Sequence, residues 1–252
     1  MEIFLILAVL GGVLILFYRQ AIDQYNILQI ESNQIAELPK LLNERTPLVL
    51  HDIGQPKIMT VEALQQNARL QQFPLGNQLT LGSYLKKPQV SVNLNKKASS
   101  MLAKESGLAV WAEHTWFEKC FSYPFLSFVH SQNTEAYIGE KGLQKATSIT
   151  TFLYPTTGSL EVTLLTEQQA KCFPPVWRKR FPETFTIQDT PLVGEIKYIT
   201  IKVRPGNMLC IPTHWYYSVR CKEKDKACIW GKITIDNPIS SVSSMMEGKL
   251  DT

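Results

Sequence analysis

The distribution of apolar residues divides the chain into an N-terminal run and a longer remainder with a different pattern. Residues Ile3 to Tyr18 contain neither a charge nor a proline, and Arg19 ends the run. As a helix, this run would span about 24 Å at ~1.5 Å per residue, somewhat less than the ~30 Å hydrocarbon core of a bilayer. Met1 and a snorkelling Arg19 can lengthen it. The pattern predicts a transmembrane anchor over residues 1–18, with residues 3–18 in contact with lipid.

The run could also be a cleaved signal peptide or a buried core helix, but its residues and those that flank it favour neither. A cleaved signal peptide needs a positive segment before the run and small residues after it. Here Glu2 precedes the run, and Phe17, Tyr18 and Arg19 close it. A core helix of a globular domain normally has one polar face, and nothing polar interrupts this run.

The basic residues near the run predict how the chain is oriented. None precedes it, whereas Arg19, Lys40 and Arg45 follow it. Because Lys and Arg are enriched on the cytoplasmic side, we expect a single-pass membrane protein whose C-terminal domain is cytosolic. The sequence also has no Asn-x-Ser/Thr glycosylation site.

The cysteine content agrees with reduced thiols. There are five cysteines and no Cys-x-x-Cys pair: Cys120, Cys172, Cys210, Cys221 and Cys228. An odd number without paired spacing is typical of a reducing compartment. Cys221 and Cys228 flank a charged turn and could face each other across a hairpin, so one disulfide is left open.

The remainder of the chain is rich in short strand-like segments. After a polar stretch over residues 19–45, predicted to be a stalk or lead-in helix, apolar runs alternate with Gly and Pro turn signals from Pro47 onward. Segments rich in Ile, Val, Thr and Tyr at this spacing predict a mostly-β sandwich or barrel. Helical periodicity is confined to about residues 56–120, and residues 239–252 are expected to form a flexible tail. The main domain is thus expected over residues 46–238, with a helical insert.

Composition narrows the class of protein further. The chain has 252 residues, of which 44% are hydrophobic and 19% charged, with a net charge of +4. These values exclude a disordered chain and a disulfide-rich miniprotein, and the mild charge gives no reason to expect specific nucleic-acid binding. No GxGxxG, GxxxxGK or GxSxG motif occurs. The four histidines lie far apart and form no metal-binding spacing.

One segment carries a specific resemblance. Residues 203–219, VRPGNMLCIPTHWYYSV, combine a strand, a Pro-Gly turn, an aliphatic strand ending in Ile-Pro and an aromatic cluster. This segment resembles the PGDxLxIPxxWWHxV segment of cupin-like, JmjC-type domains of the Fe(II)/2-oxoglutarate oxygenase superfamily. Residues 30–54 and 136–175 are similar to two other segments of these domains. All three segments follow one another along this chain in the same order as in the family. The resemblance implies a double-stranded β-helix, of the cupin or jelly-roll kind, following the membrane helix.

The same resemblance implies that the iron ligands are missing. In the family two His and one carboxylate hold the iron. Aligning the motifs puts Ser148 and Thr150 in the His-x-Asp positions and Tyr217 in the distal His position, with His214, Trp215 and Tyr216 at the rim. No Lys or Arg lies between Lys145 and Lys171 to pair with the 2-oxoglutarate carboxylate. Neutral hydroxyls are poor Fe(II) ligands, so neither a catalytic residue nor a metal or other cofactor is expected.

Three functions compete on this basis. The favoured one is a membrane-anchored, non-catalytic cupin-like module that binds or scaffolds, using a metal-free pocket lined by Ser148, Thr150 and Tyr217 for a protein or small polar ligand. The alternatives are an active Fe(II)/2-oxoglutarate-dependent hydroxylase with atypical ligands, and a structural membrane protein of a compartment or viral envelope. Some relatives dimerise, so a homodimer is also among the expected partners.

Overall fold

The computed structural model describes most of the chain beyond residue 24. The described residues are 5–6, 9–13, 25–54, 56, 59–76, 79–88, 92, 94–121, 129–223, 226–238 and 240. Within the predicted anchor, residues 5–6 and 9–13 are helical, and the rest of the run lies outside the described residues. Among the residues the structure describes, no helix is both long and apolar enough to cross a bilayer.

Twelve strands are present in the described part of the chain. They are β1 Leu28–Glu31, β2 Leu48–His51, β3 Pro74–Gly76, β4 Leu79–Thr80, β5 Ser131–Ile138, β6 Lys141–Lys145, β7 Thr150–Thr157, β8 Leu160–Leu165, β9 Ile199–Val203, β10 Met208–Pro212, β11 Tyr216–Cys221 and β12 Ile229–Asp236. The predicted mostly-β class is confirmed.

Strands β5 to β12 divide equally between two sheets. The larger sheet has the order β1-β2-β10-β7-β12-β5, and the smaller has the order β6-β11-β8-β9. All pairings among β5–β12 are antiparallel. Eight antiparallel strands distributed in this way over two facing sheets form a jelly roll. An apolar cluster that includes Leu153, Val162, Leu209 and Val219 fills the space between the sheets.

Helices cover the outer face of the larger sheet. They are α1 Leu38–Asn43, α2 Val61–Gln66, α3 Ala68–Gln71, α4 Leu81–Lys86, α5 Lys96–Glu105 and α6 Leu108–Ala112, with a π-helical turn over Glu113–Phe117. Polar side chains begin several of them: Thr60, Asn67, Thr80 and Asn95 each accept a backbone N–H of the first turn. The predicted helical insert over residues 56–120 therefore corresponds to α2–α6 and the short β3–β4 hairpin.

The segment predicted as a stalk or lead-in helix differs from the expectation in one element. Residues 28–31 form strand β1, which pairs in parallel with β2 and extends the larger sheet. A 3₁₀ helix, Ser32–Glu37, and α1 follow it. The burial of Ile30 and Leu38 against the sheet explains why this stretch belongs to the domain. Of the predicted tail, only Ser240 is described, and it is buried.

The smaller sheet is covered on its outer face by the long connection between β8 and β9. We call residues 166–198 the β8–β9 cap. Its aromatic side chains Phe173, Trp177 and Phe185 pack on Leu143 and Tyr216 of the sheet. One edge of the cap joins β6, where the amide of Leu143 donates to the Arg180 carbonyl at 2.7 Å and the amide of Lys179 donates back to the Leu143 carbonyl at 3.2 Å.

Cys221 and Cys228 form a disulfide at the turn between β11 and β12, with their Cα atoms 6.1 Å apart. This is the pairing that the sequence left open. Cys120 and Cys210 are buried free thiols, and Cys172 is partly exposed.

Candidate functional site

A buried charged cluster lies between the two sheets. Lys232 on β12 stands directly opposite Glu135 on β5 in the antiparallel register. The Lys232 Nζ lies 3.4 Å from a Glu135 carboxylate oxygen, and the Glu135 side chain is only 2% exposed. The Tyr137 hydroxyl donates to the same carboxylate at 2.7 Å, and the Asn133 side-chain amide donates at 3.1 Å. We call Lys232, Glu135, Tyr137 and Tyr217 the interior cluster.

The pKa values in the interior cluster keep its ion pair charged. Burial acts to raise the pKa of Glu135, but Lys232 and the hydrogen bond from Tyr137 together hold that pKa below its usual range. Burial acts to lower the pKa of Lys232, yet the negative charge of Glu135 and the hydrogen bond to it help to hold that pKa above its usual range. Burial raises the pKa of Tyr217, which therefore stays a neutral phenol. A buried lysine held as an ammonium cannot act as a nucleophile or general base.

Tyr217, the predicted distal-ligand position, lies inside the jelly roll as part of this cluster. It belongs to the same apolar core as Trp215 and Trp230. The rings of Tyr137 and Trp230 stack with centroids 4.7 Å apart. Aromatic side chains thus occupy the interior around Tyr217.

Ser148 and Thr150, the other two predicted positions, do not meet Tyr217. The Ser148 hydroxyl donates to a carboxylate oxygen of Asp236 at 3.3 Å. Thr150 begins β7, where alternate side chains point to opposite faces. Leu153 of that strand belongs to the core between the sheets, and Phe152 packs on the helical side, which is the side shared by Thr150. The structure therefore does not bring the three predicted pocket residues together.

Thr150 lines a different cavity, between the larger sheet and α1. This cavity has a volume of about 190 Å³ and is lined by Pro39, Leu42, Asn43, Cys120, Phe121, His130, Ile149, Thr150 and Ile235. Most of this lining is apolar, and Asn43, His130 and Thr150 supply polar groups. Burial raises the pKa of the Cys120 thiol to about 12, so this cysteine is an unreactive lining group. The cavity can hold a small molecule with a few hydrogen-bonding groups.

The three predicted rim residues lie in three different places at the start of β11. Tyr216 points outward and meets Trp177 of the cap at 5.2 Å between ring centroids. Trp215 points inward, and its ring centroid lies 6.0 Å from that of Tyr25. His214 is buried in the turn before β11 with a φ of 70°, and its Nδ1 lies 3.9 Å from Glu167.

The donor set around Tyr217 does not fit the iron centre that the family resemblance implies. In the sheet register, Gln144 of β6 stands opposite Tyr217. By alternation with Ala146, which is in the interior core, Gln144 faces inward beside Tyr217. A neutral amide and a neutral phenol do not replace imidazole and carboxylate as Fe(II) ligands. The one carboxylate of the interior cluster, Glu135, already accepts from Lys232, Tyr137 and Asn133. Among the described residues, no three His, Cys, Asp or Glu side chains are grouped so as to hold a metal ion.

The interior cluster was not predicted from the sequence, and the local pattern points away from it. In IWGKITID, residues 229–236, Lys232 shares a strand face with Thr234 and Asp236, opposite Ile233 and Ile235, so alternation alone would place the lysine in solvent. A lysine that instead faces the interior requires a partner. Its partner Glu135 lies far away in sequence, and only the β5–β12 register identifies it.

Comparison with known proteins finds similarity at the level of structure. The chain matches no known family profile and no curated protein sequence. Among solved structures it is similar to the Drosophila melanogaster CENP-C cupin domain, at 16% identity and a TM-score of 0.26. That match covers 40% of this chain and 57% of the other. The strand order of the two sheets, rather than this match, defines the jelly-roll fold.

Proposed function

We propose that this chain is a non-catalytic, cupin-like binding or scaffold module, similar to JmjC-type domains and attached to a membrane through residues 3–18 with its β domain in the cytosol. The observation that carries the proposal is the occupation of the jelly-roll interior by the interior cluster. An ion pair closed by hydrogen bonds from Tyr137 and Asn133 stands beside Tyr217, where a catalytic relative would hold its metal.

The cavity beside Thr150 supports a binding role. It lies outside the jelly-roll interior and combines an apolar wall with Asn43, His130 and Thr150. Such a combination suits a small polar molecule or a short side chain from a protein partner.

Native mass spectrometry of the full chain, extracted from its membrane in detergent, tests this role. We expect wild type to carry a bound small molecule that Thr150→Trp excludes by filling the cavity. Thr147→Trp is the matched control, because Thr147 is exposed and the same substitution there leaves the cavity open. A mass retained by the Thr150→Trp chain, or no bound mass in wild type, would contradict the cavity's role in binding.

A further inference from the structure

The β8–β9 cap carries aliphatic side chains that point away from the domain. Val176 is 72% exposed and Ile187 is 77% exposed. Both belong to a segment in which several large side chains, including Trp177 and Phe185, pack inward on the smaller sheet. A cap with one face on the core and aliphatic groups on the other presents an apolar surface that nothing in the described part of the chain covers.

The same cap carries exposed basic side chains. Lys171, Arg178, Lys179 and Lys197 of the cap are all exposed. Three of the four acidic residues of the cap lie in ion pairs with Lys145, Arg220 and Arg180. Glu195 is the remaining acidic residue. The outward face therefore combines exposed aliphatic groups with a surplus of positive charge, which is the combination that peripheral membrane contacts use.

Tyr25, which begins the continuously described domain, contacts this cap: its hydroxyl donates to the carbonyl of Lys197 at 2.6 Å. The apolar run ends at Tyr18, and seven residues of fully extended chain reach at most about 25 Å at ~3.3–3.6 Å each. A domain anchored by residues 3–18 therefore holds the Tyr25 backbone within that distance of the lipid surface, and Lys197 lies one tyrosine side chain further.

The aliphatic groups belong to the same packed unit as this contact. Lys197 follows Ile196, and Ile196 packs with Trp177 and Phe185 in the cluster between the cap and the smaller sheet. Val176 precedes Trp177, and Ile187 follows Phe185 by two residues. An anchor joined at Tyr25 therefore meets the domain on the side that carries the cap.

We propose that the outward face of the β8–β9 cap is a second membrane contact, which inserts Val176 and Ile187 among the headgroups of an anionic leaflet. This inference rests on the proposed attachment through residues 3–18. It adds an orientation: the smaller sheet faces the bilayer, and the helical side with the Thr150 cavity faces away.

Depth-dependent quenching of a fluorophore in nanodiscs tests the contact. The full chain carries Cys172→Ser to remove the partly exposed thiol, and single labelling cysteines are introduced as Val176→Cys, Ile187→Cys, Val110→Cys or Leu10→Cys. Val110 is 56% exposed on α6, on the other side of the domain, and is the matched control. The nanodiscs contain phosphatidylcholine with roughly 30% phosphatidylserine, to resemble an anionic leaflet. They also contain a lipid that carries a quencher, either at the headgroup to read positions 176, 187 and 110, or in the middle of the acyl chain to read position 10.

The proposal predicts several-fold stronger quenching at positions 176 and 187 than at position 110, and weaker quenching at both when phosphatidylserine is omitted. Quenching at 176 and 187 equal to that at 110, with position 10 strongly quenched, would overturn the cap contact and leave the anchor standing. An unquenched label at position 10 would overturn the anchor, and the cap inference with it. Circular dichroism of each labelled chain verifies that the fold is retained.

Discussion

At the scale of single residues, Lys232 and Glu135 are the most consequential pair in the domain. They lie on neighbouring strands inside the jelly roll, where apolar side chains would otherwise pack. A buried ion pair contributes little net stability relative to an apolar pair, but removing one partner leaves an uncompensated buried charge. The pair therefore fixes which side chains face inward on β5 and β12, because a register slip would bury each charge alone.

Replacing one member of the pair should therefore cost more stability than replacing both. We expect Lys232→Met to lower the free energy of unfolding by about 3–5 kcal/mol, because Glu135 loses its cation in a buried site. The double variant Glu135→Leu/Lys232→Met should recover much of that loss. Lys222→Met is the matched control, because Lys222 pairs with Glu161 on the surface at 3.7 Å and should change stability by less than about 1 kcal/mol. Urea denaturation measures all three, and a double variant less stable than Lys232→Met would contradict the interpretation.

The same pair predicts how stability varies with pH. The folded pKa of Glu135 lies below its unfolded value of about 4.3, so its contribution is complete above that pH and is lost as the pH falls through the lowered pKa. The folded pKa of Lys232 lies above its unfolded value of about 10.4, so its contribution is complete below that pH and is lost as the pH rises through the raised pKa. Urea midpoints measured from acid to neutral pH should show a shallower decline for Glu135→Gln than for wild type. An identical acid slope in both chains would refute this assignment.

At the scale of elements, the attachment of the β8–β9 cap to β6 depends on a glycine. A Cβ on Gly142 would lie 2.0 Å from the carbonyl oxygen of Lys179, a backbone atom that cannot move aside without displacing the cap. The contact also brings the backbones of Leu143 and Arg180 within hydrogen-bonding distance. Any side chain at position 142 must therefore separate the cap from the sheet.

Gly142→Ala should destabilise the fold by about 1–3 kcal/mol through this overpacking. Gly194→Ala is the matched control within the cap, because a Cβ there meets no atom within 4 Å. Thermal unfolding of both variants measures the difference, and hydrogen exchange should show faster exchange at Leu143 in Gly142→Ala. Equal stabilities for the two variants would contradict the close approach.

The disulfide closes the turn between β11 and β12. The two cysteines are 7 residues apart in sequence. Closing a loop of that length lowers the entropy of the unfolded chain, which should stabilise the folded state by about 2.5 kcal/mol. Cys221→Ser/Cys228→Ser should lose that amount, and a reducing agent should destabilise wild type to the same extent while leaving the variant unchanged. Denaturation with and without dithiothreitol measures this, and a reductant effect of the same size in the variant would show that another thiol is responsible.

The elements also show what sequence patterns can and cannot predict. The β-rich class and the strands around the Pro-Gly and Ile-Pro signals follow from local alternation and turn residues, and these are present in the structure. Strand β1 was missed because LQIE is short and lies among polar residues, and only its pairing with β2 identifies it. The predicted pocket of Ser148, Thr150 and Tyr217 depended on which face of the sheet each side chain occupies. A shift of one residue along a strand reverses that face, so spacing alone could not establish it.

At the scale of the whole molecule, the proposed anchor would determine which surfaces of the domain face the membrane and which face away from it. The smaller sheet and its cap lie near the N-terminal attachment at Tyr25, whereas the Thr150 cavity opens beside α1 on the helical side of the larger sheet. The side of the membrane can be read independently from Cys221 and Cys228. A cytosolic domain, as proposed, would keep this pair reduced in cells, and a luminal domain would keep it oxidised.

The central proposal is that the interior cluster occupies the place where a catalytic cupin-like relative would hold iron, so that the domain binds none. It is tested most directly by an anaerobic Fe(II) titration of the full chain in detergent. Metal content is measured after removal of free iron, and succinate formation from 2-oxoglutarate is measured after admission of oxygen. The interior cluster predicts iron far below one equivalent per chain, and succinate at the level of a protein-free control. One tightly held iron per chain together with turnover of 2-oxoglutarate would contradict it.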